Sequence, residues 1–225
     1  MNETARIYLI INILLLILSG CQKGDSPVQF GSVTDADGNI YKTVVIGSQT
    51  WMAENLKVNH YRNGDSIDYL TGDSQWSASY HGAYCWYEND ESQYKDLYGA
   101  LYNYRAVLDI RGISPEGWRI ATQSDWNKLS SVIGGNKIAG GRLKEIGTAH
   151  WYDPNVGATD EFKFNCLPGG QRSYGGPFEY VRQSGMFWTT TQAYFFLMSF
   201  ETDALITNQI EQNSGLSVRC IKIVE

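Results

Sequence analysis

Histidine, paired cysteine and runs of positive charge are what this sequence has least of, and each shortage excludes a class of chemistry. Its three histidines, His60, His81 and His150, lie far apart, and no two cysteines stand at metal-ligand spacing, so no metal or other cofactor is expected. Lys and Arg number 18 against 24 Asp and Glu, a formal net charge of −6. With no basic run to neutralise phosphates, nucleic acid is not an expected partner. No Ser-His-Asp or paired-carboxylate arrangement can be assembled: Glu54, Asp125 and Glu145 read as a loop tie, a helix-dipole partner and a solvated face. Asp35, Asp37 and Asn39 begin like an EF-hand loop, but Ile40 and Ile46 stand where that loop needs Gly and Glu. There is no repeat period. Nor is there an apolar run long enough to span a bilayer, since residues 7–18, interrupted by Asn12, have the length of a signal-peptide core.

The end of that apolar run carries a second signal. Leu18-Ser19-Gly20-Cys21 places small residues before a cysteine and resembles a bacterial lipobox, in which Cys21 is diacylated and becomes the first residue. Residues 1–20 are then a lipoprotein signal peptide, residues 21–30 a polar tether, and residues 31–225 a single domain. The partner implied is a membrane, reached through lipidated Cys21. Gln22 after that cysteine suits sorting to the outer membrane, with exposure at the cell surface as the further expectation.

The densest local signal is residues 115–129. Pro115 and Gly117 make a turn. Thr122 three residues before Asp125 is a helix-start pattern, and Trp126 and Leu129 share one helix face over residues 123–133. Trp51, Trp118, Trp126 and Trp188 are the expected packing anchors. Residues 32–46 read as a β-hairpin around Asp37-Gly38-Asn39. Residues 162–170 read as an alternating strand running into a Pro168-Gly169-Gly170 turn, 171–182 as a loop, and 185–191, 193–200 and 216–223 as strands. A second short helix is expected over residues 138–146, and residues 149–155 read as a surface loop.

Several phrases, in order, point to a family. They include Thr34-Asp35-x-Asp37-Gly38-Asn39-x-Tyr41, Trp51-Met52-Ala53-Glu54-Asn55-Leu56, Tyr84-Cys85-Trp86-Tyr87 and Gly99-x-Leu101-Tyr102-Asn103. Pro115-x-Gly117-Trp118, Leu167-Pro168-Gly169-Gly170 and Ser217-Val218-Arg219-Cys220 complete the set. Together they resemble the Fibrobacter succinogenes major paralogous domain of cell-surface lipoproteins. Two departures stand out: Ala121-Thr122-Gln123 replaces a Pro-Thr phrase, and Ser114 stands where many members carry cysteine. The 115–129 corner is also similar to formylglycine-generating and sulfatase-modifying domains. That resemblance implies an α+β, C-type-lectin-like fold: an irregular antiparallel sheet, about two helices and long loops. With Ser114 in place, it leaves Cys85 with Cys220 as the implied disulfide.

The function this implies is a non-catalytic, lipid-anchored module that binds a glycan or a surface protein. Trp86, Tyr87, Trp151, Tyr152 and Tyr174 are the candidate ligand-contact aromatics. The alternatives are a structural subunit of a surface assembly, or an enzyme of the formylglycine-generating kind. The last needs two neighbouring thiolates on copper, and Cys85, Cys166 and Cys220 are scattered.

Overall fold

A computed structural model of the protein describes residues 28–224; the expected signal segment, Cys21 and most of the tether lie outside that range. β1 (Phe30–Thr34) and β2 (Ile40–Ile46) form the expected hairpin, in antiparallel register from Phe30 against Val44 to Thr34 against Ile40. Asp35 locks its turn. The carboxylate accepts from the amides of Asp37 (3.0 Å) and Asn39 (2.9 Å), from Asn39 Nδ2 (2.9 Å) and from the Tyr41 hydroxyl.

β3 (Gln49–Met52), β7 (Trp118–Ile120) and β13 (Cys220–Lys222) complete the first sheet in the order β1-β2-β3-β13-β7. The end of the chain is thus inserted between two earlier strands, pairing antiparallel with both. A second five-stranded sheet has the order β12-β11-β10-β8-β9. Its strands are β8 (Gly169–Arg172), β9 (Phe178–Val181), β10 (Ser184–Trp188), β11 (Tyr194–Ser199) and β12 (Ile206–Gln209). β4 (Asp68–Tyr69), β5 (Ala83–Cys85) and β6 (Leu101–Tyr102) form a third, small sheet. The β8–β10 and β4–β5 pairs are parallel and the remaining pairs antiparallel.

The mixed α and β content agrees with the expected class, but the described residues hold three sheets and five helices rather than one sheet and about two helices. The helices are α1 (Asp73–Ser77), α2 (Glu91–Tyr98), α3 (Tyr104–Leu108), α4 (Gln123–Val132) and α5 (Asn136–Leu143). α1 and α3 are too short to show a 3.6-residue apolar period. α2 is set by its cap, the Asp90 side chain accepting from the Gln93 amide, rather than by an apolar face. α4 begins at the Thr122–Asp125 capping box that the spacing implies. α5 stops at Leu143, so Ile146 falls outside it and is exposed.

Three other expectations are corrected. Residues 162–168 are not a strand, because Lys163 (φ 56°) and Asn165 (φ 51°) take left-handed conformations that interrupt pleating. Residues 171–182 are not a loop but the β8–β9 hairpin. It is pinned by buried Arg172, which donates to the carbonyls of Gly176 (2.8 Å), Leu70 (2.6 Å) and Thr71 (2.9 Å). Of residues 216–223 only three are strand, and residues 214–221 are buried without interruption, so no polar face alternates with an apolar one.

Trp51, Trp118, Trp126 and Trp188 all lie in the core. The indole of Trp126 stacks on Phe196 with centroids 5.3 Å apart and tilts against Trp51 at 5.0 Å. Trp188 donates to the Tyr102 carbonyl (2.7 Å). A buried cation lies against the same core, the Arg219 guanidinium 4.6 Å from the Phe164 ring centroid and 5.6 Å from that of Phe187. Arg219 donates to Asn55 Oδ1 (2.7 Å) and to the carbonyls of Met52 (3.0 Å), Phe164 (2.9 Å) and Asn165 (3.1 Å). Asn55 in turn donates to the Tyr98 carbonyl (2.8 Å) and to Ser217 (3.2 Å). The phrases around Trp51 and Arg219 therefore meet at one polar knot.

The disulfide implied by the resemblance is not formed. Cys85, Cys166 and Cys220 are all free and buried, each in a different apolar cluster. Cys85 packs with Trp76 and Leu101, and Cys220 with Val218 and Trp118, so separate layers of the core hold the two thiols apart.

Candidate interaction surface

The five aromatic residues singled out for ligand contact do not assemble into a face. Trp86, Tyr87 and Trp151 are buried. The chain leaves β5 and enters a 3₁₀ turn (Tyr87–Asn89), so Trp86 and Tyr87 enter two different core clusters and neither is left at the surface. Trp151 donates to the Cys166 carbonyl (3.1 Å), within a loop held inward by two polar anchors. Asn155 Nδ2 bonds the Glu145 and Gly147 carbonyls, while Lys144 Nζ bonds those of Val156, Ser199 and Thr202. Residues 149–155 form a loop at the surface as their composition suggested, with Ala149 and residues 152–154 exposed, but Trp151 and Asn155 turn inward, an anchoring that leaves no trace in local polarity. Tyr152 and Tyr174 are exposed. They lie at opposite ends of the β8–β9 hairpin, Tyr152 bonded to Arg182 beyond β9 (2.8 Å) and Tyr174 in the turn between the strands. Cys21 lies outside the described residues.

A different surface presents apolar groups together. After α3 the chain makes a tight turn in which the Gly112 amide donates to the Asp109 carbonyl (2.9 Å). Ile110, inside that turn, is 99% exposed, and Leu108 just before it is 51% exposed. The turn is held from both sides. Arg111 donates to Asp109 through Nε (2.9 Å) and Nη2 (2.8 Å) and to Asp65 through Nη1 (3.0 Å), while its guanidinium lies over the Tyr61 ring, 3.8 Å from the centroid. Hydrogen bonds from Arg111 hold the Asp109 carboxyl down at about 2, so the pair is ionised at neutral pH. The Arg62 amide ties the far end to the Gly112 carbonyl (2.9 Å).

Beside the turn lies a cleft of about 310 Å³, lined by Tyr80, His81, Tyr104, Arg105 and Leu108 among others. Asn103 builds it. From the N-cap of α3 its buried side chain accepts from the Ala106 amide (3.0 Å) and from the Ala83 amide (3.0 Å), and donates to the His81 carbonyl (2.8 Å). One asparagine thus fixes the 81–83 segment against the start of the helix. Gly82 permits the contact, since a Cβ there would stand 2.9 Å from the Ala106 Cα. Tyr80, 79% exposed, stands at the rim with the Arg105 guanidinium 6.0 Å from its ring centroid.

Sequence reasoning passed over this surface because Asp109-Ile110-Arg111-Gly112 reads as an ordinary turn. The signal present is an isoleucine between an acid–base pair that would otherwise make a fully polar loop. A second, smaller cleft of about 130 Å³ touches Glu54, Asn55, Lys57 and Arg219. Its polar groups are committed: Glu54 accepts from the Lys42 amide, Lys57 pairs with Asp96, and Arg219 serves the core.

Comparison with known proteins gives one match: a family model described as Fibrobacter succinogenes major domain covers residues 44–222, from within β2 to the end of β13 and including the turn and cleft. No curated protein and no solved structure matches the chain.

Proposed function

The chain belongs to the Fibrobacter succinogenes major domain family, and we propose that it is a membrane-anchored, non-catalytic binding module that seats a protein partner against the 109–112 turn. The observation that carries this reading is Ile110, 99% exposed on a turn that Asp65, Asp109 and Arg111 hold rigid. Covering such a side chain is worth about 1.5–3 kcal/mol. A turn already ordered loses little conformational freedom when it is covered. Tyr80 and arginine beside it are of the types enriched at interface centres, and Leu108 adds apolar area. A protein partner is favoured over a glycan because three of the five aromatics suited to sugar stacking are buried. Lipidated Cys21 supplies the anchor, in the outer membrane and facing out, and the sheets and helices around the 115–129 corner form a C-type-lectin-like scaffold for the turn.

The test places a photo-crosslinking amino acid at position 110 or at position 146 of the full-length protein in its own cells, since Ile146 is also exposed but belongs to another face. A discrete protein adduct from position 110 alone is expected. Adducts of equal yield from both positions, or none from position 110, would refute the assignment.

A further inference from the structure

Arg105 is chemically incomplete in this structure. The arginine ion pairs among the described residues are those of Arg111, Arg119, Arg142 and Arg172; Arg105 pairs with no carboxylate. Its Nε is buried and has no hydrogen-bond partner. The same is true of the hydroxyl of Tyr104, the residue before it. Each such orphan costs about 1–3 kcal/mol, and native structures hold few of them without a reason. The Arg105 side chain lines the cleft beside the turn, whereas the Tyr104 ring packs into the core, 5.0 Å from Trp188. Asp109, the acid that lines that cleft, is already engaged by Arg111 Nε and Nη2.

We infer that this cleft takes an acidic side chain of the bound protein partner, a glutamate or aspartate next to an apolar residue, with the Arg105 guanidinium as its hydrogen-bond partner. The apolar neighbour would lie on Ile110 and Leu108. Tyr80 covers Arg105 only with an exposed ring at the rim, so a small side-chain movement opens the guanidinium to the ligand. A single carboxylate is favoured over a phosphate or a polyanion. One unpaired guanidinium neutralises one charge, and the chain as a whole carries −6. The inference rests on the interaction surface proposed above and adds the chemistry of its partner.

The experiment titrates the full-length, detergent-solubilised protein with two probes, the amidated tripeptides acetyl-Leu-Glu-Leu and acetyl-Leu-Gln-Leu, and follows amide and arginine Nε–H resonances. The glutamate peptide should shift the Arg105 Nε–H and the backbone amides of residues 80–82 and 105–110. The glutamine peptide, and the glutamate peptide with Arg105→Gln, should bind about tenfold more weakly or less, as expected for one charge-assisted contact. Equal binding of the two peptides, shifts located elsewhere, or no shifts would overturn the inference. Crosslinking from position 110 in the Arg105→Gln protein separates the two levels. An undiminished adduct beside a failed peptide titration sinks the carboxylate and leaves the surface, whereas no adduct from the protein with native Arg105 sinks both.

Discussion

Charge and thiols are buried at a handful of single positions, and each has a measurable consequence. Arg219 carries its guanidinium in the core with neutral acceptors only; burial pushes it down to about 10, so it stays protonated at neutral pH. Arg219→Met would strand four acceptors, at about 1–3 kcal/mol each. That sum reaches the whole stability of an ordinary domain, about 5–15 kcal/mol. The variant should therefore fail to accumulate as folded protein, and one that melts within a few degrees of the parent contradicts the knot. Arg219→Lys should rescue it poorly, because an ammonium cannot reproduce the planar fork. The thiols act on pH dependence. Burial pushes Cys85 and Cys166 up to about 12 and Cys220 higher still, from an ordinary 9.0. Below that ordinary value the thiols are protonated in both states. As pH rises past it the unfolded chain ionises first, so their contribution is lost. Lys144, pushed down to about 8 by burial, works the other way, because the unfolded chain then holds the proton that the folded one has released. Arg219 acts in the same sense as Lys144 once the pH nears 10, and the three thiols outweigh the two cations. The urea midpoint should fall from about pH 9 to about pH 10.5, and a level or rising midpoint over that range contradicts the assignment.

At the scale of elements, the 115–129 corner was legible because its determinants are local. Thr122 accepts from the Asp125 amide (3.2 Å), and Asp125 accepts in return from the Thr122 amide (2.7 Å). Arg119 adds a second hold on Asp125 that spacing alone does not reveal. Trp126→Ala should cost about 3–5 kcal/mol by denaturant unfolding. Trp126→Phe should cost markedly less, since the indole Nε1 has no partner to lose; equal costs for the two would mean that shape rather than ring burial governs the site. Elements set by distant partners were not legible. The β8–β9 hairpin is pinned by Arg172 of β8, which reaches across to Leu70 and Thr71, and residues 162–168 lose strand form to backbone angles at Lys163 and Asn165. α3 depends on Asn103 bonding both the helix and β5.

For the whole molecule, the phrases that identify the family describe its scaffold. Those around Trp51 and Arg219 converge on the buried knot, and Asn103 ends the one that supports the cleft. The proposed interaction surface lies just beyond such a phrase, in a turn with no motif of its own. That explains why family and mixed α and β class could be read from the chain while the candidate site could not. Aromatic richness pointed to stacking on ligand, yet most of the rings concerned are spent on the core, as Trp86, Tyr87 and Trp151 show. The central claim is that Ile110 is covered by a protein partner. Its most direct test is the affinity of the partner captured from position 110 for the parent protein and for Ile110→Asp, with both proteins melting alike. Losing the burial of one isoleucine should weaken binding roughly ten- to a hundredfold. Equal affinities would show that the exposed turn plays no part in recognition.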